Sequence, residues 1–313
     1  MAKKTLITII LLTLVLSTAL WLKLPMGNVS VVVRSGDSAR EVAMHLERSK
    51  VVPSGKMYLL FLRAIGADAK LQSGFYTFTP RFENFLTITQ KLTSKTGGKK
   101  IKVTIPEGFN ALQIAKRLEE SGVVKQAEFY AYVKENNLEG YLFPQTYYFS
   151  PGQSMQSVTD NMHAEFYKNF TPDMRNHAQE IGLGERSVVI LASIIESEAV
   201  QAYERPHISS VFQNRLKKGM RLESCATVLY ALGTHKEKLS IADTKINSPY
   251  NTYLHTGLPP GPICSPGIDS LHAALYPAQS QDLFFVSTGS GTHVFSGDFK
   301  EHIKQKIKAN KEK

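Results

Sequence analysis

The sequence predicts an α+β protein made of an N-terminal transmembrane helix, two small strand–helix modules in tandem, and a mixed α/β domain at the C-terminal end. Three observations support this class: an apolar run behind a lysine pair, an internal repeat, and a C-terminal half where amphipathic helices alternate with Gly/Pro-rich loops. The predicted parts are a cytoplasmic N-terminus (1–4), a membrane anchor (5–24), a first module (29–100), a second module with its connector (101–150) and the C-terminal domain (151–313).

The N-terminal segment predicts the membrane anchor. Lys3 and Lys4 precede an apolar run from Leu6 to Leu22, and about 20 apolar residues are enough to span a bilayer. Lysines in front of a span favour a cytoplasmic N-terminus. Ser17-Thr18-Ala19 also fits a cleavage site, so a removed signal peptide stays open as the alternative. In both cases we expect the body to work outside the cytoplasm, and with the anchor kept it is a single-pass protein of the inner membrane with the lipid bilayer as a partner.

The composition favours an anionic partner without naming one. The formal net charge is +10 at pH 7, which suits nucleic acid, a phospholipid surface or an acidic wall polymer. The sequence has no zinc-type Cys/His spacing, no Walker loop and no GxGxxG motif. We therefore expect no metal and no cofactor, and the export signal argues against nucleic acid.

The region after the anchor repeats itself with a constant offset of 72 residues. The ten identities are Val31/Val103, Gly36/Gly108, Ala39/Ala111, Ala43/Ala115, Leu46/Leu118, Glu47/Glu119, Ser49/Ser121, Val51/Val123, Val52/Val124 and Tyr58/Tyr130. Ungapped identity of this extent indicates duplication, and each copy predicts a strand, a glycine turn and an amphipathic helix. Such units resemble LysM-like modules, which bind amino-sugar polymers. The alternative is a structural pair that only spaces the C-terminal domain from the membrane.

Glu196 is the leading candidate for chemistry. It ends the apolar run Val188–Ile195, and desolvation raises the pKa of a carboxyl group. A carboxylic acid that keeps its proton near neutral pH can donate it to a leaving oxygen. The alternative is a helix-end glutamate with its carboxylate in water. Glu198 falls about 200° further round a helix, so we expect it to be solvated or structural and not a partner of Glu196.

Further candidates lie in polar segments set among glycine, proline and aromatic residues. The proposed substrate-binding residues are Glu223, Ser224, Tyr250, Asn251, Tyr253 and His293, and the proposed supporting residues are Asn214 and Arg215. Aromatic faces stack on sugar rings, and an amide can hold an N-acetyl group. Tyrosines that fill a rigid loop, and a structural strand histidine, are the alternatives.

Four of these segments occur in a characteristic order: LASIIESEA (191–199), VFQNRL (211–216), SPYNTY (248–253) and GLPPGPI (257–263). In this the sequence resembles the YceG-like endolytic murein transglycosylases. The resemblance implies a membrane-anchored lyase that cuts the β-1,4 bond between N-acetylmuramic acid and N-acetylglucosamine within glycan strands of peptidoglycan. It also implies 1,6-anhydro ends, an end to nascent strand elongation, a connection to the peptidoglycan synthesis machinery, and a catalytic glutamate at Glu196. This chain has Glu223 and Cys225-Ala226 where the family commonly has a glutamine and an Asp-Pro pair, so a catalytic role for those positions is doubtful.

A single carboxyl group suits this chemistry. Ordinary glycosidases need two carboxyl groups, whereas a lytic transglycosylase lets the C6 hydroxyl of the muramic acid attack its own C1, with a large effective molarity. The alternatives are a hydrolytic muramidase that uses Glu196 with Glu223, and a non-catalytic scaffold that binds peptidoglycan.

The two cysteines, Cys225 and Cys264, both lie in motif segments. An even count in an exported chain is compatible with one disulfide, so we expect a Cys225–Cys264 bond, with two free thiols as the alternative.

Overall fold

A computed structural model describes residues 24–94, 98, 100–150, 153–234, 236 and 239–311. Apart from Leu24, the predicted anchor lies outside these residues. Among the helices that are described, none combines the length and the apolar character that a membrane crossing requires. The chain divides into two compact units, the first up to Val103 with Leu118–Val124 and Tyr147–Ser154, and the second comprising Thr104–Arg117, Lys125–Thr146 and Met155–Lys313.

The described residues confirm the α+β class, with twelve helices and three two-stranded sheets. In chain order the elements are β1 (Val29–Val33), α1 (Ala39–Arg48), α2 (Gly55–Ala64), β2 (Gly74–Phe78), α3 (Phe85–Thr93), β3 (Ile101–Thr104), α4 (Ala111–Glu120), α5 (Gln126–Glu135), β4 (Thr146–Phe149), α6 (Met155–Asn169), α7 (Pro172–Glu180), α8 (Glu185–Glu198), α9 (Arg205–Lys217), α10 (Cys225–Leu232), α11 (Ile268–Leu275), β5 (Phe284–Ser287), β6 (His293–Ser296) and α12 (Phe299–Lys311).

The first unit is built on the antiparallel pair β1–β2, in which Val31 lies opposite Tyr76. Residues on one face of each strand are buried, as the two-residue period of a strand requires. Helix α1 begins at a capping box in which Ser38 and Glu41 satisfy each other's backbone N–H groups. The core joins both strands to α1, α2 and α3, and includes Leu46, Tyr58, Phe78, Ile88 and Leu92.

The second unit is organised around α8. All eight residues from Val188 to Ile195 are buried, and they form the centre of a core to which α7, α9, α10 and α11 contribute. A helix that is apolar all round must be enclosed by other elements. The antiparallel hairpin β5–β6 places Phe285 opposite Phe295, and both pack on this core.

The structure extends the predicted repeat. The strands begin at Val29 and Ile101 and the first helices at Ala39 and Ala111, so both pairs keep the offset of 72 residues. The turns at Gly36 and Gly108 have φ of +91° and +77°, a conformation that glycine adopts at little cost. Each copy then continues through a second helix to a strand that pairs with its first strand, which gives a βααβ order. The partner strands start at Gly74 and Thr146, again 72 residues apart, and Tyr76 and Tyr148 are identical at this offset.

Other local predictions are confirmed, whereas five helices were not predicted: the second helix of each repeat copy, α2 and α5, and the helices α3, α10 and α11. The amphipathic pattern over residues 155–182 predicts a long helix with a break at Thr171-Pro172, and the structure has that break, with Thr171 capping α7. The sequence also predicts two short strands around Gly289-Ser290-Gly291, and they are present as β5 and β6. Helices α10 and α11 were not predicted, because each has only eight residues and follows a loop.

Candidate active site

The C-terminal end of α8 presents two glutamates to different surroundings. Glu196 and Glu198 follow the buried run of α8, and the helix ends at Ala199, whose backbone is extended. A short turn then leads into α9, which starts at Arg205 with a proline in its first turn. Since the two glutamates are two residues apart, they lie on nearly opposite sides of the helix.

Glu196 is a paired carboxylate. Its Oε1 accepts a hydrogen bond from Arg205 Nη2 at 3.0 Å, and its Oε2 accepts one from the backbone N–H of Gly267 at 2.9 Å. Gly267 is the N-cap of α11, so the positive end of that helix adds to the attraction. Only 6% of the Glu196 side chain is exposed. Glu196 therefore joins α8 to α9 and α11.

A third carboxyl group, Glu107, lies beside this pair and was missed as a candidate. It belongs to the turn Pro106-Glu107-Gly108 of the second repeat. Burial raises the pKa of Glu107, and repulsion from Glu196 raises it further. The turn is fixed by two backbone hydrogen bonds, from Gly108 N to Ser265 O at 3.0 Å and from Ser265 N to Phe109 O at 2.8 Å. The sequence predicted a glycine turn at this position, but it gave no sign that the Glu107 side chain would lie beside Glu196.

Glu198 has the desolvated environment that the sequence led us to expect at Glu196. The Ser224 hydroxyl donates a hydrogen bond to Glu198 Oε1 at 2.5 Å, and the backbone N–H of Ala226 donates another. Desolvation raises the pKa of Glu198, and this effect outweighs the two hydrogen bonds and the nearby His293, which lower it. Of the two expected states for Glu198, solvated or structural, its carboxyl group is not in open solvent, because the start of α10 covers it.

Ser224 links the end of α8, which carries Glu198, to the start of α10. It is the N-cap of α10, but its hydroxyl does not cap the helix and instead binds Glu198. Its backbone N–H is satisfied by Thr252 Oγ1 at 3.0 Å. The candidate Ser224 therefore lies directly against Glu198.

His293 is held by a carboxylate that the sequence did not single out. Its Nδ1 lies 2.8 Å from Glu204 Oε2, and its backbone N–H donates to Glu204 Oε1 at 2.9 Å. Each of the two side chains is 7% exposed. The signal for Glu204 was weak, since it is one of three glutamates between residues 196 and 204.

Glu223 and Tyr253 lie at the edge of this site. Glu223 has φ of +52°, an uncommon value for a residue with a side chain. Its carboxylate is half exposed and pairs with Arg215 Nη1 at 3.2 Å. The Tyr253 hydroxyl lies 3.1 Å from Cys225 Sγ, and burial raises the pKa of Tyr253.

The side chains of Asn251 and Tyr250 contact other residues of the second unit. The Asn251 side chain is fully buried, donates to the carbonyls of Thr244 and Ile246, and accepts from the backbone N–H of Tyr253. An amide used in this way has little capacity left for an N-acetyl group. The Tyr250 ring packs at a tilted angle against the Tyr230 ring, with 4.9 Å between their centroids, and Tyr250 lines a small pocket that does not include the hydrogen-bond partners of Glu198.

Asn214 and Arg215 bind backbone carbonyl groups. Asn214 donates to the carbonyls of Ser280 and Asp282. Arg215 donates to the carbonyls of Leu283, Arg221 and Leu222. These contacts tie α9 to the start of the β5–β6 hairpin and to the segment before Glu223, as bracing residues would.

The predicted disulfide is not formed. Cys225 and Cys264 are both free thiols. Cys264 is buried against α8 and donates to the carbonyl of Ser193 at 3.3 Å, whereas Cys225 is exposed at the start of α10 and contacts Tyr253. The two thiols contact different partners. The fact that both cysteines lie in motif segments therefore did not mean that they contact each other.

Comparison with known proteins identifies the family. The YceG-like family matches residues 31–308. The chain belongs to this family. The endolytic murein transglycosylase of Bacillus subtilis (strain 168) is 33% identical over 90% of this chain and 84% of its own length. The protein of the same name from Streptococcus pneumoniae serotype 2 (strain D39) is 28% identical over 83% of this chain and 54% of its own length.

A solved structure shows the same fold. The crystal structure of a YceG-like protein from Listeria monocytogenes is similar with a TM-score of 0.60 and 32% sequence identity. The similarity covers 88% of this chain and 98% of that one. Membership in the family therefore rests on both sequence and fold.

Proposed function

We propose that this protein is an endolytic lytic transglycosylase of peptidoglycan in which Glu198 is the general acid and base. The observation that carries the proposal is the Glu198 carboxyl group, which is desolvated at the end of a buried helix and hydrogen-bonded by Ser224. A carboxyl group with a raised pKa keeps its proton close to neutral pH. The names of the curated relatives agree with this activity.

The reaction needs one carboxyl group and no water. Glu198 donates its proton to the glycosidic oxygen while the bond from that oxygen to C1 of the muramic acid breaks. The C6 hydroxyl of the same sugar attacks C1, and its proton passes to the Glu198 carboxylate, which restores the acid. The product is a 1,6-anhydro end, and the intramolecular attack supplies the effective molarity that a second catalyst would otherwise provide. The donors at Ser224 and Ala226 stabilise the carboxylate that exists between the two transfers.

Glu196, the acid that the sequence favoured, suits a structural role better. A general acid must present its proton to the substrate, whereas both carboxylate oxygens of Glu196 are taken up by protein donors, Arg205 Nη2 at 3.0 Å and the backbone N–H of Gly267 at 2.9 Å. We therefore propose that Glu196 holds α8, α9 and α11 together and that the proton donor lies two residues further on.

A hydrolytic muramidase is the alternative within enzymes. It needs a second carboxylate to activate water. Glu223, the sequence candidate for that role, is paired with Arg215 and half exposed, so its carboxylate is already engaged by another side chain. The structure therefore favours the single-acid mechanism over the hydrolytic one.

The first repeat supports a role in binding glycan. Its βααβ order over residues 29–78 fits the proposed LysM-like module. We further propose that residues 5–24 anchor the protein in the inner membrane, with a cytoplasmic N-terminus and an extracytoplasmic body, where nascent glycan strands and the synthesis machinery are within reach.

Mass spectrometry of digested peptidoglycan tests the function. The full chain is incubated with purified glycan strands, and the new ends are identified by mass. We expect 1,6-anhydro ends, which lack the added water of a hydrolytic product. Hydrated reducing ends would instead show a muramidase, and binding without any cleavage would show a scaffold.

A further inference from the structure

The last helix of the chain, α12, packs on the outer face of the β5–β6 hairpin. The ring of Phe284 on β5 lies 5.6 Å from the Phe299 ring and 5.1 Å from the His302 ring, measured between centroids. Ala309, two turns after His302 on the same side of the helix, is buried. The other face of the hairpin packs on the core around α8, so the hairpin lies between that core and α12.

Another side of α12 exposes a row of apolar side chains. Phe299, Ile303 and Ile307 are 60%, 37% and 52% exposed. Their spacing of four residues places them in line along the helix. We call these three residues the apolar stripe. Single exposed apolar side chains are common on protein surfaces, whereas a continuous apolar row marks a surface that contacts a partner or a membrane.

Exposed lysines border the apolar stripe on both sides. Lys300, Lys304 and Lys308 each follow a stripe residue directly and so lie about 100° further round the helix. Lys306 precedes Ile307 and lies on the other edge of the stripe. Glu301 is the one acidic residue of α12, and it pairs with Lys304 at 3.4 Å. The exposed surface of α12 is therefore apolar along its middle and cationic along both edges.

This combination indicates the chemistry of the partner. A soluble polyanion, such as an acidic wall polymer, would neutralise the lysines but leave the apolar stripe in water. An uncharged apolar groove would cover the stripe but leave the ammonium groups without counter-charges. An anionic lipid surface provides both, because its headgroups attract lysines and the boundary with its acyl chains accepts apolar side chains.

We propose that α12 docks on the surface of a bilayer that contains anionic phospholipid. The helix lies in the plane of the interface, with the apolar stripe about 5–10 Å below the headgroup surface and the four lysines beside lipid phosphates. Because α12 packs on the β5–β6 hairpin, this contact sets how the catalytic domain is oriented at the membrane. The proposal goes beyond the proposed function, since it depends neither on cleavage nor on the identity of the acid.

Tryptophan fluorescence of the full chain tests the contact. Trp21 is the one tryptophan in the sequence, so in a Trp21→Phe background the variant Ile303→Trp reports on the apolar stripe alone. In vesicles of phosphatidylcholine with phosphatidylglycerol, we expect its emission to shift to shorter wavelength and to be quenched by lipids brominated on their acyl chains. Both changes should be small in vesicles of phosphatidylcholine alone. High salt should reduce them, because it screens the lysines.

The matched control is Ile181→Trp in the same background. Ile181 is also an exposed isoleucine of the second unit, at 40% against 37% for Ile303, and it lies at the end of α7. Its emission should be the same in both kinds of vesicle.

A fourfold variant tests the charge. Lys300→Gln/Lys304→Gln/Lys306→Gln/Lys308→Gln is added to the Ile303→Trp chain. Each lysine near an anionic surface is worth about fivefold in binding. The quenching should therefore fall to the level seen with phosphatidylcholine alone.

Trypsin digestion of the unmodified chain decides the question if the tryptophan variants do not fold. Phosphatidylglycerol in the vesicles should slow cleavage after Lys304 and Lys308 at least about fivefold, because docking covers α12. Cleavage after Lys218, an exposed lysine that follows α9, should be unchanged.

Four results would overturn the proposal. The first is an Ile303→Trp emission, or in its place a trypsin pattern, that does not respond to phosphatidylglycerol. The second is an equal response at Ile181→Trp. The third is an emission already shifted in phosphatidylcholine alone, which would mean that protein covers the apolar stripe. The fourth is an equal shift when soluble polyglutamate replaces the anionic lipid. The proposed function is judged separately, by whether the chain produces 1,6-anhydro ends.

Discussion

The two faces of the α8 end give the same residue type different partners. Both carboxylate oxygens of Glu196 are engaged, one by Arg205 and the other by the backbone N–H at the start of α11. Glu198 meets a serine hydroxyl and one backbone N–H, and burial raises its pKa. The two glutamates share one helix and one apolar run, so the difference comes entirely from the elements that surround them. The apolar run therefore indicates the part of the helix in which a proton donor can lie. Which of its carboxyl groups takes that role depends on the residues that contact each of them.

The largest effect that this comparison predicts is the loss of cleavage in Glu198→Gln. The amide keeps the shape of the side chain but has no acidic proton, and general acid–base catalysis is usually worth about 10²–10⁴-fold. We expect cleavage, measured as release of soluble 1,6-anhydro fragments, to fall at least about 100-fold, with an unchanged circular dichroism spectrum. Activity within about tenfold of the wild type would contradict the role of Glu198.

Glu196→Gln should fail in a different way, by destabilising the fold. The change leaves Arg205, whose side chain is 11% exposed, without its anion, and removal of one partner from a buried pair costs about 3–5 kcal/mol. We expect a lower midpoint in urea unfolding of the full chain. The double variant Glu196→Gln/Arg205→Met should recover part of the loss. An unchanged midpoint in the single variant would mean that the Glu196–Arg205 pair does not hold the helices.

Ser224→Ala tests the contribution of the hydroxyl group that donates a hydrogen bond to Glu198. A hydrogen bond to a charged group is typically worth about 1.5–3 kcal/mol, so loss of the donor should lower kcat about tenfold or more. The pKa of Glu198 should rise further, since this bond lowers it, and the alkaline limb of kcat should move to higher pH. The matched control is Ser54→Ala, which removes the N-cap of α2. It should cost about 1 kcal/mol of stability and leave the pH profile alone.

The smallest effect concerns stability and pH. The pKa of Glu198 is raised in the folded state, so the folded protein binds its proton more tightly than the unfolded chain does. Stability from this group is therefore greatest below the ordinary carboxyl pKa, and it falls as pH rises from there through the raised pKa. Glu198→Gln should flatten this part of the curve in a series of thermal melts and be at least as stable as the wild type at pH 8. A steeper curve in the variant would contradict the assigned direction.

The sequence predicted the elements better than the contacts. The break at Thr171-Pro172 and the strands of the repeat follow from local signals, which are a capped proline and a two-residue period. The burial of α8 also follows from its composition. Which partners each glutamate meets depends on other elements of the fold: Gly267 is 71 residues from Glu196, and Ser224 is 26 residues from Glu198. Helix periodicity separates the two faces but carries no information on what covers each of them.

The turn that carries Glu107 limits how the chain can be divided. The two copies of the repeat look interchangeable in sequence, yet the second contributes residues 104–117 to the unit that holds the catalytic centre. A fragment that begins at residue 151 would lose Gly108 and Phe109, and the backbone of Ser265, a residue only 1% exposed, would be left with no partner for its N–H or its carbonyl. The first copy has a core of its own between Val31 and Leu92, whereas the second copy is divided between the two units, so its turn must be kept together with the C-terminal domain.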